Sequence, residues 1–484
     1  MRNLGILALG ALLSLSLSGC AADANDEATA TGDEALTSSA PRPFDLREMT
    51  AKAARTFATP TGKTEICVIT KPFTADGEAT GYTEKDAKRE AKLCKVDLNA
   101  APGTDGVIAA GLAPKANSTN PATDVHEVTA EIPRSVVEST AEANSRDRKA
   151  KKLGRIKSSL DDRFDRTSTY APSIMGYYAT SRMLGNIGEV TPAVWRTLDV
   201  QRHVKVAQVG SGLTVPGSQI VKKLWATFVA TDNASQKTQL FYTTDGSQLY
   251  GAFIPNVSGD EKDKTIDTLG GIQSSAQYKR LTNGAPIAQF VPSDFKSSVE
   301  QIVPMQGLTE MLVLDAIMLQ GDRLSGDNVS YVPYVFWPQG DGTLGSMSKD
   351  DFDDLPKEGK AQPANAVTVR KLYLNDVDAG LIVKSTENMQ AGQEYALLKS
   401  LRHVSPDLYA RLQKLAQNTK NPAFTSWLVS ELRFTDRDVL RYTTMAQSVA
   451  SLFKDRCEAG SLVLDLDVPK HVAHANLAPK QGCE

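Results

Sequence analysis

Residues 308–331 read LTEMLVLDAIMLQGDRLSGDNVSY: an apolar run, a polar loop and the start of a second apolar run. Leu308, Met311, Leu312, Met318 and Leu319 recur at helical spacing on one face, so the first part is expected to be a buried helix. Asp315 falls on that same face, at helical spacing from Leu312 and Met311. A carboxylate there has to be paired or hydrogen-bonded, because an unpartnered charge in an apolar interior is strongly unfavourable. The loop then supplies Asp322, Arg323 and Asn328, an acid, a fixed cation and an amide, before a β-branched run opens at Val329.

Phosphoryl transfer to a hydroxyl needs such a set. One Asp orients or deprotonates the acceptor, an Asn a few residues on holds a metal ion, and a second Asp on the next strand bridges metal and phosphates. A candidate for the second Asp follows in the right order. Residues 367–374 alternate like a strand and run into Asn375, Asp376, Val377, Asp378, Ala379 and Gly380.

Leu314-Asp315 followed by Gln320-Gly321-Asp322-Arg323 and Asn328 resembles the catalytic loop of atypical kinases. That group contains the secretory-pathway (Golgi) casein-type kinases, the spore-coat protein kinases, the HipA-like kinases and the phosphoinositide lipid kinases. The resemblance covers mainly residues 300–415, where 397–415 also looks like the helices that follow the metal-binding strand. It implies an α+β, two-lobed protein-kinase-like fold with an N-terminal extension and a mostly helical C-lobe. It also implies ATP with Mg or Mn, Asp322 as catalytic acid/base, Asn328 and Asp376 as metal ligands, and Asp315 as a brace for the loop through Arg323. The usual interval from the acid to the asparagine is five residues, so Asp327 takes the expected place here and is an alternative ligand, as Asp378 is to Asp376. Upstream, 177–184 and then 190–194 resemble the lobe-bridging helix and following strand. The phosphate-contacting lysine should then precede Pro172. Lys157 is the choice, with Lys152 and Lys71 as alternatives. No glutamate lies in 172–184 to pair with it, and no glycine-rich nucleotide loop is evident. The implied division is an extension of unassigned fold over 46–140, an N-lobe over 141–300 and a C-lobe over 301–484.

The other end of the chain carries an address. Met1-Arg2-Asn3 is a short positive start, residues 4–17 form an apolar run too short to span a bilayer, and the run closes on Leu17-Ser18-Gly19-Cys20. This resembles the lipobox of bacterial lipoproteins. It implies cleavage of a signal peptide over 1–19, lipid on the Cys20 thiol, and an extracytoplasmic, membrane-anchored place in the cell envelope. Ala21 rather than Asp after the cysteine resembles the pattern sorted to the outer membrane. Residues 20–45, rich in Ala, Thr, Ser, Asp and Glu, read as a flexible tether. Five cysteines is an odd number for an exported chain. Assigning Cys20 to lipid leaves Cys67 near Cys94 and Cys457 near Cys483, so two local disulfides are expected, against the alternative of four reduced, buried thiols.

The 484 residues carry a formal charge of -3 and are 41% hydrophobic, and the roughly 440 beyond the tether are enough for two or three domain-sized units. No long basic stripe suggests nucleic acid as a partner, and the cluster over 146–152 reads as a solvated face or loop. Further expectations are helices over 46–57, 84–94 and 172–184, strands over 64–70, 224–231, 238–243 and 248–254, a turn at Asp245-Gly246, and loops over 101–122. Ser405-Pro406-Asp407 and Thr435 to Asp438 read as helix caps. Gly62-Lys63-Thr64 lacks the earlier glycine of a phosphate loop. Ser346 with Lys349 and Ser451 with Lys454 have acyl-transfer spacing by accident of context. His471 and His474 read as surface residues without a third zinc ligand, and the hydrolase elbow is absent. Function is therefore expected to be phosphotransfer to a hydroxyl of a protein or small molecule. The alternatives are a pseudokinase or binding module without turnover, and a structural envelope lipoprotein.

Overall fold

The structure, a computed structural model, describes residues 53–483 except 75–80, 146–147, 161–168, 258–259, 263, 326–327 and 382–391. Cys20, the signal-like run, the tether and Asp327 lie outside the described residues. The fold is mixed α+β. Its strands are β1 (Ala53–Ala58), β2 (Thr64–Ile69), β3 (Val96–Asp97), β4 (Ile108–Pro114), β5 (Thr123–Glu127), β6 (Lys152–Lys157), β7 (Val194–Asp199), β8 (Gln248–Pro255), β9 (Glu261–Lys262), β10 (Ser330–Pro338), β11 (Leu344–Ser348) and β12 (Val367–Tyr373). Eight of them form one sheet in the order β1-β2-β7-β8-β6-β5-β4-β3, antiparallel except for the β3–β4 pair. The other sheet runs β11-β10-β12, with β9 added on β10.

The large sheet curls. Cys94 stands two residues before β3 at one edge, yet it is disulfide-bonded to Cys67 of β2 near the other edge, with a Cα–Cα distance of 5.4 Å. Inside the curl, Leu112, Val125, Ile156, Val194 and Phe253 alternate inward from their strands and meet Val204 and Ala207 of the helix Val200–Ser211. That helix packs against β4, β7 and β8 at once. The opposite face contributes Val68, Trp195 and Ala252 to a second core built around the helix Phe295–Ile317. Residues 53–127, which sequence alone leaves without a fold, thus supply β1 to β5 of the same sheet that β6, β7 and β8 complete.

Several local expectations are corrected. Residues 53–57 are strand rather than helix. The segment 101–122 contains β4 as well as loops. The expected strand over 224–231 is part of a helix, Gln219–Asp232. Its Trp225, Phe228 and Val229 favour strands by type, but Val221, Leu224, Trp225 and Phe228 fall at helical spacing and are buried together. Trp225 lies so close to Gly210 that a β-carbon there would come within 2.4 Å of it, which fixes the crossing of the two helices. Of the expected strand over 238–243 only a bridge from Tyr242 to Leu249 remains, although Asp245-Gly246 does turn the chain, with Gly246 at φ +65°. The strand placed at 190–194 begins only at Val194. In the basic cluster, Lys152 is part of β6 and pairs with Asp124 at 2.7 Å, while half-buried Arg148 donates to the carbonyls of Pro114 and Ala143. His471 is buried against the carbonyls of Val291 and Pro292, and His474 is exposed.

Elsewhere the expected signals are met by structure. Ser405 caps the helix Pro406–Asn418, and Thr435 with Asp438 forms a capping box on Asp436–Glu458. Cys457 and Cys483 are disulfide-bonded, tying the long helix to the end of the described chain. The bridge closes a loop with a sequence separation of 26, so replacing both cysteines with serine is expected to lower stability by about 3 kcal/mol. Chemical denaturation checks this, with an unshifted midpoint as the contrary result. No helix among the described residues is long and apolar enough to cross a membrane.

Candidate functional site

The helix Phe295–Ile317 ends just after Asp315, which is fully buried. Its carboxylate accepts from the Tyr177 hydroxyl at 2.7 Å and from Arg323 Nε at 2.9 Å. Arg323 is also fully buried. With its remaining donors it reaches the carbonyl of Asn328 at 2.7 Å and that of Asn375. One guanidinium thus ties the polar loop to the segment that follows β12. Burial opposes its charge, but the Asp315 carboxylate outweighs that and holds its pKa above the ordinary arginine value. Further bonds lace the two loops together: Gly321 N to the Ala379 carbonyl at 3.1 Å, Leu381 N to the Met318 carbonyl at 2.7 Å, and Gln320 Nε2 to the Asp376 carbonyl at 3.3 Å.

On this frame stand the acids. Asp376 adopts a left-handed backbone at φ +46°, a conformation Asp tolerates better than most residues. Two residues on, Asp378 is anchored by the start of the helix Ala171–Met183: Tyr170 N donates to its carbonyl and Ser173 Oγ to that of Val377. Gly380 fits beneath, where a β-carbon would come within 2.6 Å of Ser173 Oγ. From the large sheet, Lys157 at the end of β6 reaches both carboxylates, at 3.0 Å from Asp376 and 3.0 Å from Asp378.

Of the three lysines weighed from sequence, only Lys157 joins this group. Lys152 pairs with Asp124, and the backbone of Lys71 is held by Glu431 and Trp427. Burial opposes the charge on Lys157, but Asp378 and Asp376 hold its pKa above the usual lysine value. Lys157 in turn keeps Asp376 ionised far below the carboxylate range, against burial and with help from Lys115.

Asp322 is half-buried at the rim of the same loop. Burial pushes its carboxyl upward, and the negative charges of Asp378 and Asp376 add to this, partly offset by the Ser325 hydroxyl 2.6 Å away. Asn328 donates to the Asp322 carbonyl at 2.6 Å, which fixes the loop's chord. Asp322, Asn328, Asp376, Asp378 and Lys157 therefore belong to one locality, assembled from a helix end, a strand end and the large sheet. Among the described residues, no group of three or more His, Cys, Asp or Glu side chains forms a ready metal cage.

Two cations escape the sequence reading. Lys115, at the turn between β4 and β5, lies within the electrostatic reach of Asp376, Lys157 and Arg155. Burial chiefly, then Arg155, pushes its pKa down to about 8. Arg155 sits two residues before Lys157 and pairs with Asp124 at 2.9 Å. Lys115 follows β4 and Arg155 lies inside β6, and neither belongs to a motif, so neither carries a local signal. Tyr177, the second partner of Asp315, is missed for a similar reason, since the helical spacing accounts for it fully as core.

Beneath the loop lies Glu394, fully buried, to whose carboxyl no other described residue gives a hydrogen bond. Burial, with the nearby Asp315 charge, pushes its pKa up to about 8. A carboxyl raised in the folded state favours folding most below the unfolded pKa, and that contribution is lost as pH rises toward 8. Glu394→Gln is therefore expected to match the wild type in stability at pH 4 and to exceed it at pH 8, by roughly 3–4 kcal/mol. Melting curves at the two pH values check this; a constant difference would contradict it.

No family model matches the chain, and no curated protein matches it in sequence.

Proposed function

We propose that the chain is a lipid-anchored protein of the cell envelope whose kinase-like domain binds a nucleotide with a divalent metal and transfers a phosphoryl group to a hydroxyl of a protein or small molecule. The observation that carries this is the meeting of Lys157 with Asp376 and Asp378, more than two hundred residues away in sequence, beside the Asp322 loop. Supporting it is the run of strands. In β4, β5 and β6, followed by the helix Ala171–Met183, the lysine stands on the third strand of a meander and a helix follows it, as in protein kinases.

The donors suit magnesium or manganese. They are oxygen ligands from one or two carboxylates and an amide, with the remainder left to phosphate oxygens and water, which is how such ions are usually held at nucleotide sites. Asp376 and Asn328 would hold the ion, with Asp378 and Asp327 as the alternatives. Bound there, it would neutralise charge developing on the transferred group. The chain's own residues do the rest. Lys157, released in part from the two aspartates, meets phosphate. Asp322, its pKa raised by burial, accepts the proton of the acceptor hydroxyl. Arg323 and Asp315 keep the loop and the Asp376 segment in register.

Binding without turnover is the second reading. The helix Ala171–Met183 carries no glutamate to take over Lys157, so the lysine stays with the aspartates. Thermal melting of the lipid-free chain with ATP and Mg or Mn tests both. Stabilisation that needs nucleotide and metal together is expected; no shift in any combination would sink nucleotide binding altogether.

A further inference from the structure

We infer that a separate cationic cavity binds a small, multiply phosphorylated molecule. The cavity, of about 580 Å³, is walled by the helix Glu84–Leu93, the beginnings of β4 and β6, the chain after β8, and parts of β10 and β12. Lys85, Arg89 and Lys92 recur at helical spacing and line it from one face of that helix. Lys151, Lys152 and Lys349 face them from the other walls.

Against these six cations stand three carboxylates, those of Glu127, Glu189 and Asp350. Glu189 is already committed, 2.6 Å from Lys371 and 2.8 Å from the Tyr334 hydroxyl. Lys85, Lys152 and Lys349 pair with Asp351, Asp124 and Asp353. Arg89, Lys92 and Lys151 have no ion pair among the described residues, and set against the two remaining carboxylates, Glu127 and Asp350, they leave a positive balance on a concave surface. Such a surface focuses its field on an anion, and lysines grip phosphate as point charges. The volume suits a ligand the size of a nucleotide or sugar phosphate, and Tyr334 and Tyr373 line the cavity beside the charges. None of Lys157, Asp322, Asn328, Asp376 or Asp378 lines the cavity, so the inference does not rest on the kinase reading.

The phosphate could belong to a free molecule or to a lipid headgroup, and two arms of one experiment separate them. The probe is inorganic tripolyphosphate, titrated calorimetrically in metal-free buffer with chelator into the chain lacking residues 1–20, whose described part lies in one compact unit. Arg89 and Lys92 are exposed, so Arg89→Gln/Lys92→Gln should fold normally. The wild type and Lys157→Met are expected to bind alike, and the double variant more weakly by on the order of tenfold or more. In the second arm, cosedimentation with phosphatidate vesicles that the double variant abolishes would assign a lipid headgroup. Tripolyphosphate binding without vesicle binding would assign a free phosphorylated molecule. Equal affinity in wild type and double variant, loss only in Lys157→Met, or no binding of either probe would overturn the inference. Tripolyphosphate binding with no response to ATP and metal would overturn the kinase reading alone.

Discussion

Asp322→Ala is expected to lower phosphoryl transfer by roughly 10²–10⁴-fold, the usual contribution of a positioned acid/base, while nucleotide binding and melting temperature stay close to wild type. The side chain's own partner is the Ser325 hydroxyl on the exposed side of the loop, whereas the bond from Asn328 goes to the Asp322 carbonyl and survives the change. The loop's shape is therefore retained and its carboxylate removed. Asp322→Asn separates charge from shape: it should be as inactive as the alanine variant, because an amide cannot take the proton. Transfer of label from the γ-phosphate measures all three proteins. Equal labelling by wild type and Asp322→Ala would remove Asp322 from the reaction.

The largest effect on stability is expected at Arg323. Replacing it with methionine leaves Asp315 in an apolar interior with the Tyr177 hydroxyl as its remaining side-chain partner, and it strips a donor from the carbonyls of Asn328 and Asn375. Breaking a buried ion pair from one side costs about 3–5 kcal/mol. Arg323→Met should lose stability of that order in denaturant titrations. Adding Asp315→Leu should recover part of it, since no bare carboxylate then remains buried. Full recovery is not expected, because the two carbonyls are still short of a donor. A single variant within about 0.5 kcal/mol of wild type, the range of ordinary surface changes, would contradict the bracing role.

The stretch 308–331 was legible because its chemistry is local. A helical stripe with one acid in it demands a partner, and the arginine eight residues on is that partner. The resemblance asks for a lysine before Pro172, and of the three weighed Lys157 is the one that the fold sets beside Asp376 and Asp378. The cysteine pairs followed from arithmetic and proximity. What local pattern does not carry is pairing at a distance. The large sheet joins β1 and β2 to β7, and β5 to β6 and β8, across helices that intervene in sequence, and nothing in residues 53–127 announces those neighbours. The segment 224–231 misled because tertiary packing on Gly210 and the curled sheet outweighs the strand preference of Trp225, Phe228 and Val229. Lys115 and Arg155 have meaning only once the β4–β5 turn and β6 are brought beside Asp376.

The junction of Lys157 with Asp376 and Asp378 is the centre of the account, and calorimetric titration of Mn–ATP into the wild type, Lys157→Met and Asp376→Asn tests it most directly. Binding by the wild type, with both variants weakened on the order of tenfold or more and still folded, is the predicted result. Equal affinity in all three, or none in the wild type, would contradict it.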